Sequence, residues 1–501
     1  MFPRVGRPPY PLVWSPVTHS TDPPPVVSEP VAGPTVEPEP IVLRTKPNRH
    51  FPFLSRHPWV LATALQDRAH VPRDGLEKPA EAEMFGQTAE LLDHDGNWIA
   101  RGLYNPASRL RLRLYSFEAD QKIDDELFAR RIDEAVARRR LAPGDSVLGG
   151  SARRDSTVSG PPPAEQDSLS EGGERLIFSE SDRLSGLIVD RYADCLSIQF
   201  TSAALLSRGQ FLIDQLLVAA EKYGTPCTRV VVRMDATTAK HEGVSPDWIA
   251  KIESWSRGVP TPDVPSEDPA SEDSASEDPA AGDSGDTSLV WYRHHRLKMA
   301  IDLREGQKTG GYLDQQNNHS IAASYMKDRR VLDICTYTGG FALSAALAGA
   351  SEVIGVDSSE RALELARRNA QANSLTQVRF EKADCFDDLK ERGQRGEKFD
   401  AIILDPPRFA GSRRQVDAAL RAYARLNMSA VDLLPPGGIL VTCSCSGHVS
   451  RADFLNMLVD VGRKRRRDLI LLRSLGPSPD HPCAVSCPES DYLKCVIAQV
   501  Q

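Results

Sequence analysis

Two short stretches of the chain hold residue types that do chemistry: "LDPPRFA" at 404–410 and "LVTCSCSG" at 440–447. Each is an apolar run ending in a titratable side chain. They read as two neighbouring strands of an open α/β sheet that deliver Asp405 and Cys445 to the crevice beyond their carboxyl ends, where such sheets hold ligands. A thiolate suits attack on C6 of a cytosine, and a free cysteine with a pKa of about 8.5 offers some thiolate near neutrality. Addition at C6 makes the ring an enamine, C5 takes an electrophilic methyl group, and loss of the C5 proton expels the sulfur. Asp405 is expected to hold N3 and the exocyclic amine and to stabilise the charge developing there, on a loop stiffened by Pro406 and Pro407. Cys443 is the competing thiol. It shares one side of an ideal strand with Cys445, but a bend at 444–447 places the later residue at the crevice and leaves Cys443 to packing.

The methyl donor needs its own site. The strand "RVLDIC" opens into a loop of Tyr337, Thr338, Gly339 and Gly340 ahead of a helix, and the next strand ends in Asp357, eighteen residues after Gly339. A carboxylate there can accept both hydroxyls of a ribose, and Asp384, after the third strand, stands where an adenine amine needs an acceptor. The Gly-x-Gly-x-x-Gly cradle of a pyrophosphate is missing. S-adenosylmethionine, with a ribose and an adenine but no phosphate, is therefore the expected cofactor. The same residues have plainer uses: Gly-Gly opens many helices, and Asp357 and Asp384 could cap the helices that follow. An amino-group methyltransferase would also use Asp-Pro-Pro, typically with an aromatic residue next; here Arg408 takes that place and Phe409 follows. That reaction is the alternative, together with a catalytically silent RNA-binding protein on the same fold.

These residues need a scaffold. Strands expected at 330–334, 353–357, 378–383, 399–404, 439–444, 468–473 and 492–499, alternating with helices, specify a largely parallel, doubly wound, Rossmann-like sheet over 304–501. Ahead of it, 41–118 shows short alternating segments and an Asp95-Gly96 turn signal, which suggest a small β-barrel-like domain. A basic helix is expected over 118–140. The span 119–303 reads as a central α/β domain built on a strand-strand-helix-strand unit, with insertions near 142–174 and 256–288, the second carrying three Ser-Glu-Asp triplets. Residues 1–40, with twelve prolines, are expected to form a disordered tail.

Net charge is −8, but eight acidic residues lie between Ser266 and Asp286, so the folded parts are near neutral. A duplex-buried cytosine must be flipped out before attack, and Arg56, His57, Arg111 and Arg113 are the candidate grips on an RNA backbone. Nine cysteines without regular spacing point to a reducing cytoplasm and to no structural metal. No apolar run approaches the roughly 20 residues of a membrane span, and no secretory h-region is expected at the N-terminus. Oligomeric state stays open, a homodimer included.

At these residues the chain resembles the family of 23S ribosomal RNA 5-methylcytosine methyltransferases, the large subunit methyltransferase I type. The marks are "RHPWV" at 56–60, "YNPASRLRLRLYSF" at 104–117, "GLIVDRY" at 186–192, "KTGGYLDQQNNH" at 308–319, "YTGGFA" at 337–342, "LDPPRF", "SCSG" and "DHP" at 480–482. The resemblance implies a PUA domain, a small central domain and a class I methyltransferase domain. It also implies Cys445 as nucleophile, Asp405 and Asp357 as the base-binding and cofactor acids, and closure of the "KTGGYLDQ" segment over the methionine end of the cofactor.

Overall fold

A computed structural model describes residues 41–66, 85–141, 171–258, 289–303 and 309–501. The 1–40 segment, most of the two insertions and Lys308 lie outside the described residues.

The first alternating segments form β1 (Ile41–Arg44), β2 (Trp59–Leu61), β3 (Gln87–Leu92), β4 (Trp98–Tyr104) and β5 (Leu110–Ser116), in the order β1-β3-β4-β5-β2. Beyond their ends the two edge strands meet in a bridge between Thr45 and Leu65. Closing the sheet on itself removes the liability of open edges, and Val60, Ala89, Leu91 and Leu112 fill its interior. The following helix runs Asp125–Leu141 rather than from 118, because the Asp124 carboxylate accepts from the backbone N–H of Leu127 (2.9 Å) and caps it there. Its basic end is not a solvated face. Arg139 is paired with the buried Asp182 at 2.6 Å, Arg140 with Glu174 at 2.7 Å, and Arg131 donates to the carbonyl of Arg183 at 2.7 Å.

A second sheet joins β6 (Gly173–Phe178), β7 (Leu187–Tyr192), β8 (Cys195–Phe200) and β9 (Arg229–Arg233) in sequence order. Strand β6 begins inside the stretch read as an insertion, so the expected unit gains a leading strand. The parallel pair β8–β9 is connected by the helix Gly209–Lys222. A hairpin, β10 (Leu289–His294) and β11 (Leu297–Asp302), leads to the third sheet.

That sheet contains β12 (Arg330–Ile334), β13 (Glu352–Asp357), β14 (Val378–Lys382), β15 (Ala401–Leu404), β16 (Gly438–Ser444), β17 (Leu469–Leu475) and β18 (Lys494–Val500), ordered β14-β13-β12-β15-β16-β18-β17. Only β18 runs against its neighbours. Alternate residues of each strand enter different cores: Val331, Ala401, Ile403, Ile439 and Val441 pack against the helices Gly340–Leu347 and Glu360–Ala372, whereas Leu332, Ile402, Leu404 and Leu440 pack against Val416–Leu433 and Arg451–Arg465. Both faces are covered, so the strands read as nearly continuous apolar runs.

Candidate active site

Strand order reverses between β12 and β15: β13 and β14 lie outside one, β16 to β18 outside the other. Chains leaving such a pair diverge and open a crevice at the carboxyl ends. A cavity of about 630 Å³ sits there, with Tyr312, Gln315, Tyr337, Thr338, Gly340, Asp357, Asp384, Asp405 and Cys445 in its wall.

The loop after β12 is wound tightly, with left-handed φ at Cys335 (64°), Tyr337 (51°) and Gly339 (92°). Two of these are not glycine, a costly choice that surrounding bonds must hold. Thr336 donates its hydroxyl to Asp333 Oδ2 (2.6 Å), Tyr337 N–H donates to Asp357 Oδ2 (2.9 Å), and the Tyr337 hydroxyl donates to Gly310 O (3.0 Å). The fully buried Asp333 also accepts from Ala342 N–H, so it joins the strand end to the helix start. Burial pushes its carboxyl up to about 8.

The two glycines part company. Gly340 lines the cavity, but its bareness is demanded by His319, whose ring carbon would lie 2.3 Å from an added Cβ. Gly339 is buried and supplies the left-handed turn between Thr338 and Gly340, both of which line the cavity.

Asp357 does not cap the next helix, because Ser359 does, accepting from Ala362 N–H. Its oxygens accept from Tyr337 N–H and Ser359 N–H (both 2.9 Å). Asp384 does cap its helix, accepting from the backbone of Phe386 (2.8 Å) and Asp387 (3.2 Å), and still faces the cavity. An ionised carboxylate has about four acceptor positions, so both retain capacity toward a ligand.

Asp405 Oδ2 accepts from the Gln315 amide at 3.0 Å, and Gln315 is itself held by Asn318 (2.6 Å). Arg408 is folded onto the carbonyls of Ala410 (2.9 Å) and Gly411 (3.1 Å), while Phe409 packs on Tyr423 at 4.7 Å between ring centres. The Asp-Pro-Pro loop is tied to the thiol loop: Ala410 N–H donates to Ser446 Oγ (3.2 Å), which also meets the Tyr423 hydroxyl (3.1 Å). Cys443 faces Cys495 across the β16–β18 ladder, fully buried, and burial holds its thiol well above the usual range. Cys445, beyond the strand end, is half-buried. It also lines a second cavity of about 510 Å³, with Arg408, Trp59, Phe178, His448 and Tyr492. The thiol therefore stands in the partition between two cavities.

The expected RNA grips are scattered. Arg56 is exposed, 5.7 Å over the ring of Phe117, and Arg111 is half-buried on β5. His57 and Arg113 are corrections. His57 Nδ1 accepts from Trp59 N–H (3.3 Å) and its Nε2 meets Glu489 at 3.2 Å. Arg113, 8% exposed, donates to Glu180 (3.2 Å), Ser185 (3.0 Å) and the carbonyl of Thr201 (3.1 Å). Both join the first sheet to later parts of the chain. Asp333, Gln315 and Lys494 went unread: an acid and a lysine inside apolar strands were the available signals, and Gln315 lay within the flagged "KTGGYLDQ" segment.

Asp314, Asp357, Asp384 and Asp405 face the first cavity, and Arg408 is the one Arg or Lys among the described residues of its wall. That donor set fits a cationic nucleoside sulfonium and opposes a pyrophosphate. No helix among the described residues is long and apolar enough to cross a membrane.

Comparison with known proteins gives the same frame. A family described as a methyltransferase domain matches residues 326–473, and one described as a PUA-like domain matches 43–117. A SAM-dependent methyltransferase structure from Streptococcus mutans superposes with a TM-score of 0.63 at 15% identity, covering 92% of this chain and 100% of its own. A second, a methyltransferase solved with SAH, gives 0.64 at 15% over the same shares, and both show the shared fold. The chain carries a methyltransferase domain over the sheet that holds the first cavity. Proteins named ribosomal RNA large subunit methyltransferase I are similar along nearly their whole length: 35% identity over 454 residues in Tolumonas auensis (90% of this chain, 97% of the relative), and 33% over 462 in Shewanella frigidimarina (92% and 99%). With this identity, this coverage and both domains in place, the chain belongs to the ribosomal RNA large subunit methyltransferase I family.

Proposed function

We propose that the protein methylates C5 of a cytosine in large-subunit ribosomal RNA through a covalent bond between Cys445 Sγ and C6 of the base. The observation that carries this reading is the place of Cys445, in the partition between the acid-lined cavity that also holds Asp405 and the cavity walled by Trp59, Phe178 and Tyr492. The name of the relatives supplies the RNA; a thiol beside an acid supplies the pyrimidine carbon.

S-adenosylmethionine, when bound, supplies an electrophilic methyl carbon. Cys445, as thiolate, adds its electron pair to C6 and makes C5 nucleophilic. Asp405, oriented by Gln315 at Oδ2, acts in its protonated form: it donates to N3, where negative charge accumulates as the sulfur bonds, and accepts from the exocyclic amine. Loss of the C5 proton then returns the C6–S pair to Cys445. Asp357 and Asp384 would hold the ribose and adenine of the cofactor, with Tyr337, Thr338 and Gly340 in the same wall. The aromatic second cavity is the side from which an extruded base reaches the thiol, with Arg408 at the junction and Arg56 and Arg111 as outlying backbone grips.

RNA carrying 5-fluorocytosine at the target tests this, because fluorine cannot leave C5 as a proton does and the sulfur stays bonded. Wild-type and Cys443→Ala protein should be trapped; Cys445→Ala should give neither adduct nor turnover. Methyl found on the exocyclic amine, with no adduct, overturns the reading.

A further inference from the structure

Lys494 lies in β18 directly opposite Ser444 and is only 2% exposed. Its side chain reaches past the strand end to donate to the carbonyls of Ser446 and Tyr492, each at 2.7 Å. Among the described residues no carboxylate lies within ion-pairing distance of it. A buried ammonium without an anion is unstable, so such a site either sheds its proton or finds a counter-charge. Burial brings Lys494 down to about 8, and the charge of Cys445 is the foremost influence opposing that fall, ahead of Asp491. An ammonium has three N–H donors; a neutral amine has two and a lone pair. Two carbonyls occupy two donors in either state. Cys445 lies between Ser444, which pairs with Lys494 across the ladder, and Ser446, whose carbonyl the amine holds, so the thiol is the nearest titratable group along the strand to the third position.

We propose that Lys494 is a positioning residue for the nucleophile, taking the proton of Cys445 so that a thiolate–ammonium pair is the attacking form. This rests on Cys445 being the group that attacks. The S–H bond breaks with its electron pair left on sulfur, an N–H bond forms on the amine, and the proton count of the pair is unchanged. Of the other titratable groups around Cys445, Tyr312, Tyr423 and Tyr492 are raised by burial and stay neutral, Asp405 carries the proton it offers to N3, and Arg408 is turned onto carbonyls. His448, three residues on in the wall of the second cavity, is the competing base, and an unchanged midpoint in Lys494→Met would favour it. Asp491 and Arg451 act on Lys494 with opposite signs.

Alkylation of the full chain by iodoacetamide from about pH 5 to 10, followed at the Cys445 peptide by mass spectrometry, reads the thiolate midpoint. The wild-type midpoint should lie at least about one pH unit below the roughly 8.5 of a free thiol. In Lys494→Met it should return to about 8.5 or above, with kcat at least about 100-fold lower, KM for RNA unchanged and S-adenosylmethionine affinity retained. Added ethylamine should restore rate to Lys494→Ala. Equal midpoints in wild type and a Lys494→Met protein that still binds S-adenosylmethionine would make the lysine a strut and overturn the proposal. Should both lysine variants fail to fold, the ultraviolet thiolate absorbance lost on Cys445→Ala gives the midpoint without them, and a value at or above about 8.5 overturns the pair. A lowered midpoint without any 5-fluorocytosine adduct upholds the pair and sinks the cytosine reading instead.

Discussion

The arginines of the amino-terminal half and the carboxylates at the rim of the seven-stranded sheet are both dense charge in the sequence, and the fold uses them in opposite ways. Arg113, Arg131, Arg139 and Arg175 are spent on buried acids or on carbonyls of other elements. Asp357, Asp384 and Asp405 take donors from backbone or amide on one side and face a cavity on the other. A charge whose bonds all run into neighbouring elements is a strut; one with acceptor capacity left over an open cavity is available for chemistry. Substitution should therefore separate stability from activity along this line.

The largest effect is expected on the strut side. Arg139→Met leaves the buried Asp182 facing only the half-exposed Arg138 and the backbone of Phe178. Breaking a buried pair from one end should cost about 3–5 kcal/mol, read by denaturant unfolding, while the folded fraction keeps its affinity for S-adenosylmethionine. A loss below about 1 kcal/mol, the worth of a surface pair, would put Arg139 back among solvated charges.

On the rim, Asp405→Ala should lower kcat by about 100- to 1000-fold, the cost of losing a group aimed at developing charge, with little change in unfolding midpoint. A protein that loses stability instead would show Asp405 to be a strut for Gln315. Asp357→Ala should weaken S-adenosylmethionine binding by about 1.5–3 kcal/mol, the worth of charge-assisted hydrogen bonds, as titration calorimetry would report. Unchanged affinity would confine Asp357 to holding Tyr337.

How much of this was legible follows from how far apart the partners lie. The strands of the third sheet fall within two residues of their expected ends, because each is an apolar run bounded by turn residues. Asp357, Asp384, Asp405 and Cys445 follow from those strand ends, since the carboxyl edge is a local property. Strand β6 was hidden because "GERLIF" grows directly out of a Gly/Ser-rich stretch. His57 and Arg113 were misread because their acids, Glu489 and Glu180, lie 432 and 67 residues away. Lys494 needed the β16–β18 register, in which a lysine comes to face the end of the thiol strand. Local pattern places side chains at an edge; it does not say which charges are already satisfied.

Asp333 tests the comparison at its finest, as an acid of the rim sheet that behaves as a strut. It sits among apolar residues on the face that packs against Gly340–Leu347, holds Thr336 and Ala342, and is raised by burial from 3.8 to about 8. The folded protein thus binds this proton more tightly than the unfolded chain does. The stability it contributes is fully present below about pH 4 and is lost as pH rises through 8. Asparagine keeps the shape and an acceptor oxygen without the titration. Asp333→Asn should therefore gain on the wild type as pH rises from 5 toward 8, by up to about 1.4 kcal/mol per pH unit. Taking the difference between the two proteins cancels His319, which burial lowers to about 3 and which drives stability the other way. Urea unfolding of both proteins at several pH values in that window measures it. A difference that stays flat would mean that Asp333 is ionised in the folded protein, and its place would then be with the rim acids that face the cavity.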